Sequence, residues 1–216
     1  MLSHTQARRI YDRIGSRQDS QAFYEDRATT LLLQHGVFES AQAVFEFGCG
    51  TGRFALRLFK EYLPPAARYH GVDVSPKMVE LAQQRLAEYS PRAAVSLTDG
   101  RSASSEPMHA YDRFLSNYVF DLLSEEDIRS TLREAQRILC PNGLLCLAGL
   151  STGVGPVSRA VEKMLKWVQA HRPALVGGCR PLDLLPFVRG PDWDVQFHQK
   201  VVAFTIASEA LVARRC

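Results

Sequence analysis

No two cysteines in this sequence are spaced as C-x-x-C, no histidine cluster accompanies any of them, and their number, five, is odd. That argues against a zinc site and against a disulfide framework, so Cys49, Cys140, Cys146, Cys179 and Cys216 are expected as free thiols, mostly buried. Long hydrophobic runs are missing too. The longest, near Leu144 to Leu150, is strand-sized and interrupted by Cys146 and Gly149, far short of a bilayer-spanning helix. The first residues, among them His4, Gln6, Arg8 and Arg9, lack the apolar block of a signal peptide, so a cytoplasmic location is expected. Charge of one sign is equally scarce: 26 Lys and Arg stand interspersed against 23 Asp and Glu. Only Arg8-Arg9 and Arg214-Arg215 are locally basic, so no nucleic-acid partner is expected.

What is present is enough for one well-buried core: 216 residues, 46% hydrophobic and 23% charged, with no long apolar-poor stretch. From Asp19 to about His35 the apolar residues Phe23, Ala28, Leu31 and Leu32 recur at roughly the helical period, and Gly36 ends the run. Ala43 to Phe47 reads as a strand stopped by Gly48, and Phe54 to Tyr62 as a helix stopped by Pro64-Pro65. A second unit follows, with a strand at Tyr69 to Val74, Ser75 as helix cap, Pro76 in the first turn, and Met78, Val79, Leu81, Ala82 and Leu86 as its apolar face. Ala93 to Leu97 and Arg113 to Leu115 are further strands. Ser124-Glu125-Glu126-Asp127 opens a helix to about Leu139, and Pro141-Asn142-Gly143 turns into a fifth strand. After these come a helix at Pro156 to Ala170, a Gly/Pro-rich passage from Pro173 to Pro191, and β-prone runs at Val195 to Phe204 and Ala210 to Ala213.

Such alternation predicts an α/β, doubly wound fold, because short strands buried on both faces must be mostly parallel and joined by right-handed crossovers. The last two runs predict an antiparallel hairpin on the sheet edge, which makes seven strands with helices on both faces. Along the helix at Pro156, the stripe Val157, Val161, Met164, Leu165 and Val168 lies beside Arg159, Lys163 and Lys166. It reads either as a core-facing surface or as a face in transient contact with lipid.

The most informative stretch is Glu46-Phe47-Gly48-Cys49-Gly50-Thr51-Gly52, where alternating glycines leave a strand and open a helix, so that a ligand can touch backbone. The dinucleotide fingerprint G-x-G-x-x-G fails here, since Arg53 stands at the third glycine position, and no Gly-Lys-Ser/Thr follows to make a P-loop. Glu46, Asp73, Asp99 and Asp121 all fall at or just past strand ends, on the edge where open α/β sheets bind ligands. That acidic rim repels a pyrophosphate. It suits a ligand carrying a sulfonium, an α-amino group and a ribose diol, which is S-adenosylmethionine.

Taken together, the glycine turn, Gly71-Val72-Asp73-Val74-Ser75, Asp99-Gly100 and Leu139-Cys140-Pro141-Asn142-Gly143 resemble, in order and spacing, the class I S-adenosylmethionine-dependent methyltransferases. The resemblance runs from about Tyr11 to Leu150. It implies a Rossmann-like sheet with the backbone of Gly48, Cys49 and Gly50 beside the methionyl and ribose groups. It further implies Glu46 at the amino end, Asp73 on the ribose hydroxyls, Val74 and Met78 flanking adenine, and Asp99 with Gly100 at the adenine amino group. Asn117 falls to the methionyl portion and Tyr118 and Asp121 to the methyl group. On this view residues 1–42 are a helical cap, 43–150 the cofactor-binding core and 151–216 acceptor-side elements of a single domain.

Methyl transfer from a sulfonium releases a neutral thioether, so positioning and exclusion of water provide much of the catalysis. A hydroxyl acceptor calls for a base, for which Tyr11, Tyr24, His4, His109 and Asp121 are the candidates. The Asn/Asp-Pro-Pro-Tyr/Phe signature of the family's amide- and nucleobase-methylating members is lacking, since Ser116-Asn117-Tyr118-Val119-Phe120 stands in its place. An amide or nucleobase amine acceptor is therefore disfavoured, and the remaining pattern resembles the family's branch acting on small molecules, quinone- and lipid-like acceptors included. Two other readings stay open: a regulatory module that holds adenosylmethionine without transferring methyl, and a nicotinamide-dependent oxidoreductase.

Overall fold

The computed structural model describes residues 4–15, 18–19, 22–100, 105–171 and 178–216. In chain order these form α1 (His4–Ile14), α2 (Ala22–His35), β1 (Ala43–Phe47), α3 (Arg53–Glu61), β2 (Arg68–Asp73), α4 (Pro76–Arg85) and β3 (Ala93–Leu97). Then come β4 (Tyr111–Asn117), α5 (Glu125–Ile138), β5 (Leu139–Leu150), α6 (Pro156–His171), β6 (Trp193–Ala203) and β7 (Ile206–Arg215). The strands make one seven-stranded sheet in the order β3-β2-β1-β4-β5-β7-β6. The first five run parallel, and β7 returns antiparallel between β5 and β6. This is the doubly wound sheet with a C-terminal hairpin that the sequence pattern predicts.

Period-two alternation divides each central strand between two cores. Val44, Leu115, Cys146 and Val212 point to the layer that includes Leu32, Leu58 and Phe59. Their neighbours Phe45, Phe114, Leu145 and Leu211 point to the opposite layer with Ile128, Leu132 and Ile138 of α5. Reversal of the strand order at β1 and β4 opens a crevice at their carboxyl ends, and α1 and α2 come to lie near it.

The hairpin differs from expectation in extent. β7 runs the full Ile206–Arg215 because its pairing with β5 continues from Leu144↔Arg214 to Leu150↔Ser208. Phe204 leaves the strand: it and Thr205 take φ of 49° and 71°, the left-handed two-residue turn whose twist matches paired strands. β5 begins at Leu139, earlier than expected, and Pro141-Asn142-Gly143 is a kink within it rather than a turn before it. Asn142 sits there at φ 63°, and the register with β4 shifts between Tyr111 and Arg113. The helix predicted from Asp19 starts at Ala22, and the chain before it forms the separate α1. The start of the Gly/Pro-rich passage, at 173–177, and the side chains of His4 and Phe23 lie outside the described residues. Among the described residues no helix is long and apolar enough to cross a membrane.

Candidate active site

Between the carboxyl ends of β1, β2 and β4 and the two N-terminal helices lies a cavity of about 250 Å³. Its floor is the turn after β1. Gly48 and Cys49 donate backbone N–H bonds to the Val72 carbonyl at 2.8 and 3.0 Å, which ties the turn to β2. Gly48 at φ 78° leaves no room for a side chain, because a Cβ there would stand 2.3 Å from Val119 Cγ2. Gly50, at φ 52°, is the reverse case, with nothing within 4 Å of where its Cβ would stand.

Asp73 closes the end of β2 and does two jobs. Its Oδ1 accepts from the Ser75 amide at 2.9 Å and its Oδ2 from the Gly50 amide at 3.0 Å, so one carboxylate clamps the glycine turn to the start of α4. Burial raises its pKa, and these backbone donors pull it back. Ser75 caps α4 by accepting from Met78 N and donates its own hydroxyl to Asp12 Oδ1 at 2.6 Å, which pins α1 to the site. A second tie runs from Arg85 to Asp19 and Thr51, at 2.7 Å each, with Thr51 also donating to Asp19 at 2.6 Å.

Glu46 is 2% exposed, accepts from the Tyr69 hydroxyl at 2.6 Å and from Asn117 Nδ2 at 3.3 Å, and is pushed by burial up to about 8. Asn117 Oδ1 is buried with no hydrogen-bond partner among the described residues, an acceptor held ready at the cavity wall. Tyr118 follows at φ 55°, a left-handed conformation that costs a bulky residue about 1–3 kcal/mol and is found where function repays it. Its ring meets Tyr24 of α2 edge-on, centroids 5.8 Å apart.

The cavity brings together most of the residues singled out by sequence: Tyr11, Glu46, Gly48, Cys49, Gly50, Asp73, Val74, Met78, Gly100, Asn117 and Tyr118 all line it. Asp99 does not. Its side chain is exposed and Thr98 takes the adjoining place on the wall. Asp121 is also off the wall, buried at 1% exposure in the turn after β4, and burial pushes its carboxyl up to about 7. His109 is exposed and away from the cavity, and His70 bonds to Ser96 and Glu106 within the sheet layer. Sequence reasoning expected a helical cap but missed six residues of the wall: Glu25, Asp26 and Thr29 of α2 and Arg53, Phe54 and Arg57 of α3 all line the cavity. Their signal was available as polar pairs four residues apart, Glu25/Thr29 and Arg53/Arg57, each on one helix face. Arg53 pairs with Asp26 at 2.7 Å. Glu25 is left on the wall with its carboxyl raised to about 7 by burial, aided by the charge of Asp121.

Residues 44–143 match the model of a family described as a methyltransferase domain. Over 107 residues the chain is 30% identical to the carboxy-S-adenosyl-L-methionine synthase of Chromohalobacter salexigens, covering 49% of this chain and 38% of that protein. It is 30% identical over 121 residues to the malonyl-[acyl-carrier protein] O-methyltransferase of Priestia megaterium, covering 56% and 41%. The matched stretch thus spans less than half the length of either relative. In fold it superposes on the [4+2]-cyclase SpnF with a TM-score of 0.76 at 19% identity, covering 99% of this chain and 97% of that one.

Proposed function

We propose that the chain is a class I S-adenosylmethionine-dependent methyltransferase, a reading supported by the methyltransferase-domain match over residues 44–143, and that it transfers a methyl group to a small-molecule acceptor held under the α1–α2 cover. The observation that carries this reading is the open approach at Gly50 between two buried carboxylates, Glu46 and Asp73, on one cavity wall. Those groups fit the cofactor. The Asp73 carboxylate accepts from the amides of Gly50 and Ser75, with the Val74 amide also directed at it, and the acceptor capacity that remains can take a ribose hydroxyl without releasing the glycine turn. The unpartnered Asn117 Oδ1 and the carboxylate of Glu46 suit an ammonium group. Val74, Met78, Thr98 and Gly100 line the remaining side, where a flat heterocycle fits.

When bound, adenosylmethionine supplies an electrophilic methyl on a positively charged sulfur that leaves as a neutral thioether. The protein holds donor and acceptor in line and keeps water away, which the ties from Asp12 and Asp19 accomplish by fixing the N-terminal segment over the cavity. Glu25 receives the acceptor's proton. It is a carboxylate of the cover that lines the cavity beside the Tyr24 hydroxyl, and its raised pKa puts it near the operating pH of a general base. Turnover is therefore expected to rise with pH up to an inflection at or below about 7. A Glu25→Gln variant that kept the same profile would remove Glu25 from that role.

The decisive experiment is calorimetric titration with S-adenosylhomocysteine, which needs no knowledge of the acceptor. Binding is expected, and its absence in folded protein would end the reading. Because burial pushes the Glu46 carboxyl up to about 8, an ammonium placed beside it should displace a proton at pH 7. Affinity should climb as pH rises toward 8, and the apparent enthalpy should change with the buffer's ionisation enthalpy. Identical enthalpies in all buffers would detach Glu46 from the amino group. Binding without turnover of any hydroxyl, thiol, amine or carbon acceptor would favour the module that holds the cofactor without using it.

A further inference from the structure

Helix α6 turns two adjacent stripes to solvent. Val157, Ala160, Met164 and Trp167, spaced i, i+3, i+7, i+10, form an apolar stripe, and Val157, Met164 and Trp167 are 64%, 55% and 63% exposed. Beside it Arg159, Lys163 and Lys166, spaced i, i+4, i+7, form a cationic row that is also exposed. The helix packs through its other side, where Ser158 is buried and Val161, Leu165 and Val168 are half-buried. The core-facing reading therefore holds for only part of the predicted stripe, since Val157 and Met164 point away from the protein. The single carboxylate of the helix, Glu162, is not on the exposed arc. It accepts from Gly153 N at 2.8 Å and pairs with Lys166 at 2.6 Å.

We propose that this face of α6 docks the protein on an anionic lipid surface, with Val157, Met164 and Trp167 entering the acyl boundary and the cationic row meeting the headgroups. Charge identifies the occupant: the arc carries three cations, of which only Lys166 is paired with a carboxylate among the described residues, beside a tryptophan whose amphipathic ring favours the headgroup level. The long Lys and Arg stems let the charges stay in the headgroup layer while their methylenes lie along the apolar stripe. The inference stands apart from the methyl-transfer reading.

The test uses the whole chain with vesicles of phosphatidylcholine alone or mixed with phosphatidylglycerol. Sedimentation with vesicles and a blue shift of tryptophan emission are expected only with the anionic lipid, both fading as salt is raised. The probe is well placed, because the other tryptophan, Trp193, is 8% exposed and contributes a constant background. Lys163→Gln should weaken vesicle binding about fivefold, the share of one surface cation, and Met164→Glu should abolish it. Both sites are exposed, and an unchanged circular-dichroism spectrum and melting temperature in both variants verify the fold. Equal binding to neutral vesicles, or a Met164→Glu protein that still sediments, would overturn the proposal. So would a blue shift that appears without lipid and grows with protein concentration, which would assign the face to a second copy of the chain.

Discussion

Gly50→Val is expected to abolish S-adenosylhomocysteine binding and leave the sheet folded. The two halves of that result have separate causes. Because no atom lies within 4 Å of a Cβ at Gly50, the first atom of an added side chain meets no part of the protein and stands in space expected for the ligand. At φ 52° a valine also strains the backbone by about 1–3 kcal/mol, a cost a domain with two cores withstands as a lowered melting temperature. The loss of affinity should exceed about a hundredfold, near 3 kcal/mol, with Gly50→Ala falling between wild type and valine. A valine variant that binds normally would show that the turn serves only the fold. Gly48 cannot give so clean an answer, since any side chain there meets Val119 first.

Asp73→Ala should cost nearly as much, about 3 kcal/mol or roughly a hundredfold in affinity, as charge-assisted hydrogen bonds to a ligand are lost. The substitution also frees the amides of Gly50 and Ser75, so part of any effect comes from loosening the clamp. A ligand lacking the ribose 2′-hydroxyl separates the two. If Asp73 holds the diol, wild type should bind the deoxy ligand more weakly than S-adenosylhomocysteine, and the variant should hardly distinguish them. The same discrimination in both proteins would confine Asp73 to positioning the turn. Asn at this position should rescue little, because an amide that accepts from Ser75 N turns its NH₂ toward the N–H of Gly50.

These two residues belong to the part of the site that sequence makes legible. Strand ends, glycine turns and helix caps are local features written in consecutive residues: Gly48 to Gly52 follows β1, Asp73 ends β2, and Ser75-Pro76 opens α4. The cover is different. Glu25 and Arg57 reach the cavity only because α2 and α3 pack across it, and nothing within either helix records which face the sheet end will meet. Asp99 and Asp121 fail in the opposite sense. Both stand just past strand ends as a rim residue should, but the loop after β3 turns the first outward and the turn after β4 buries the second. Adjacency to a strand end specifies a neighbourhood, whereas the direction of a side chain depends on one or two loop dihedrals.

The place of β7 in the sheet has a consequence for biosynthesis. Residues 206–215 are made after every other element described, yet they fill an interior position, between β5 and β6. Until they leave the ribosome, the growing chain carries an unpaired β5 edge from Leu144 to Leu150, apolar and ready to pair with any strand it meets. Folding as the chain emerges can therefore complete the parallel half early but cannot seal the sheet. The interval between those events is when the β5 edge of the nascent chain is most open to mispairing.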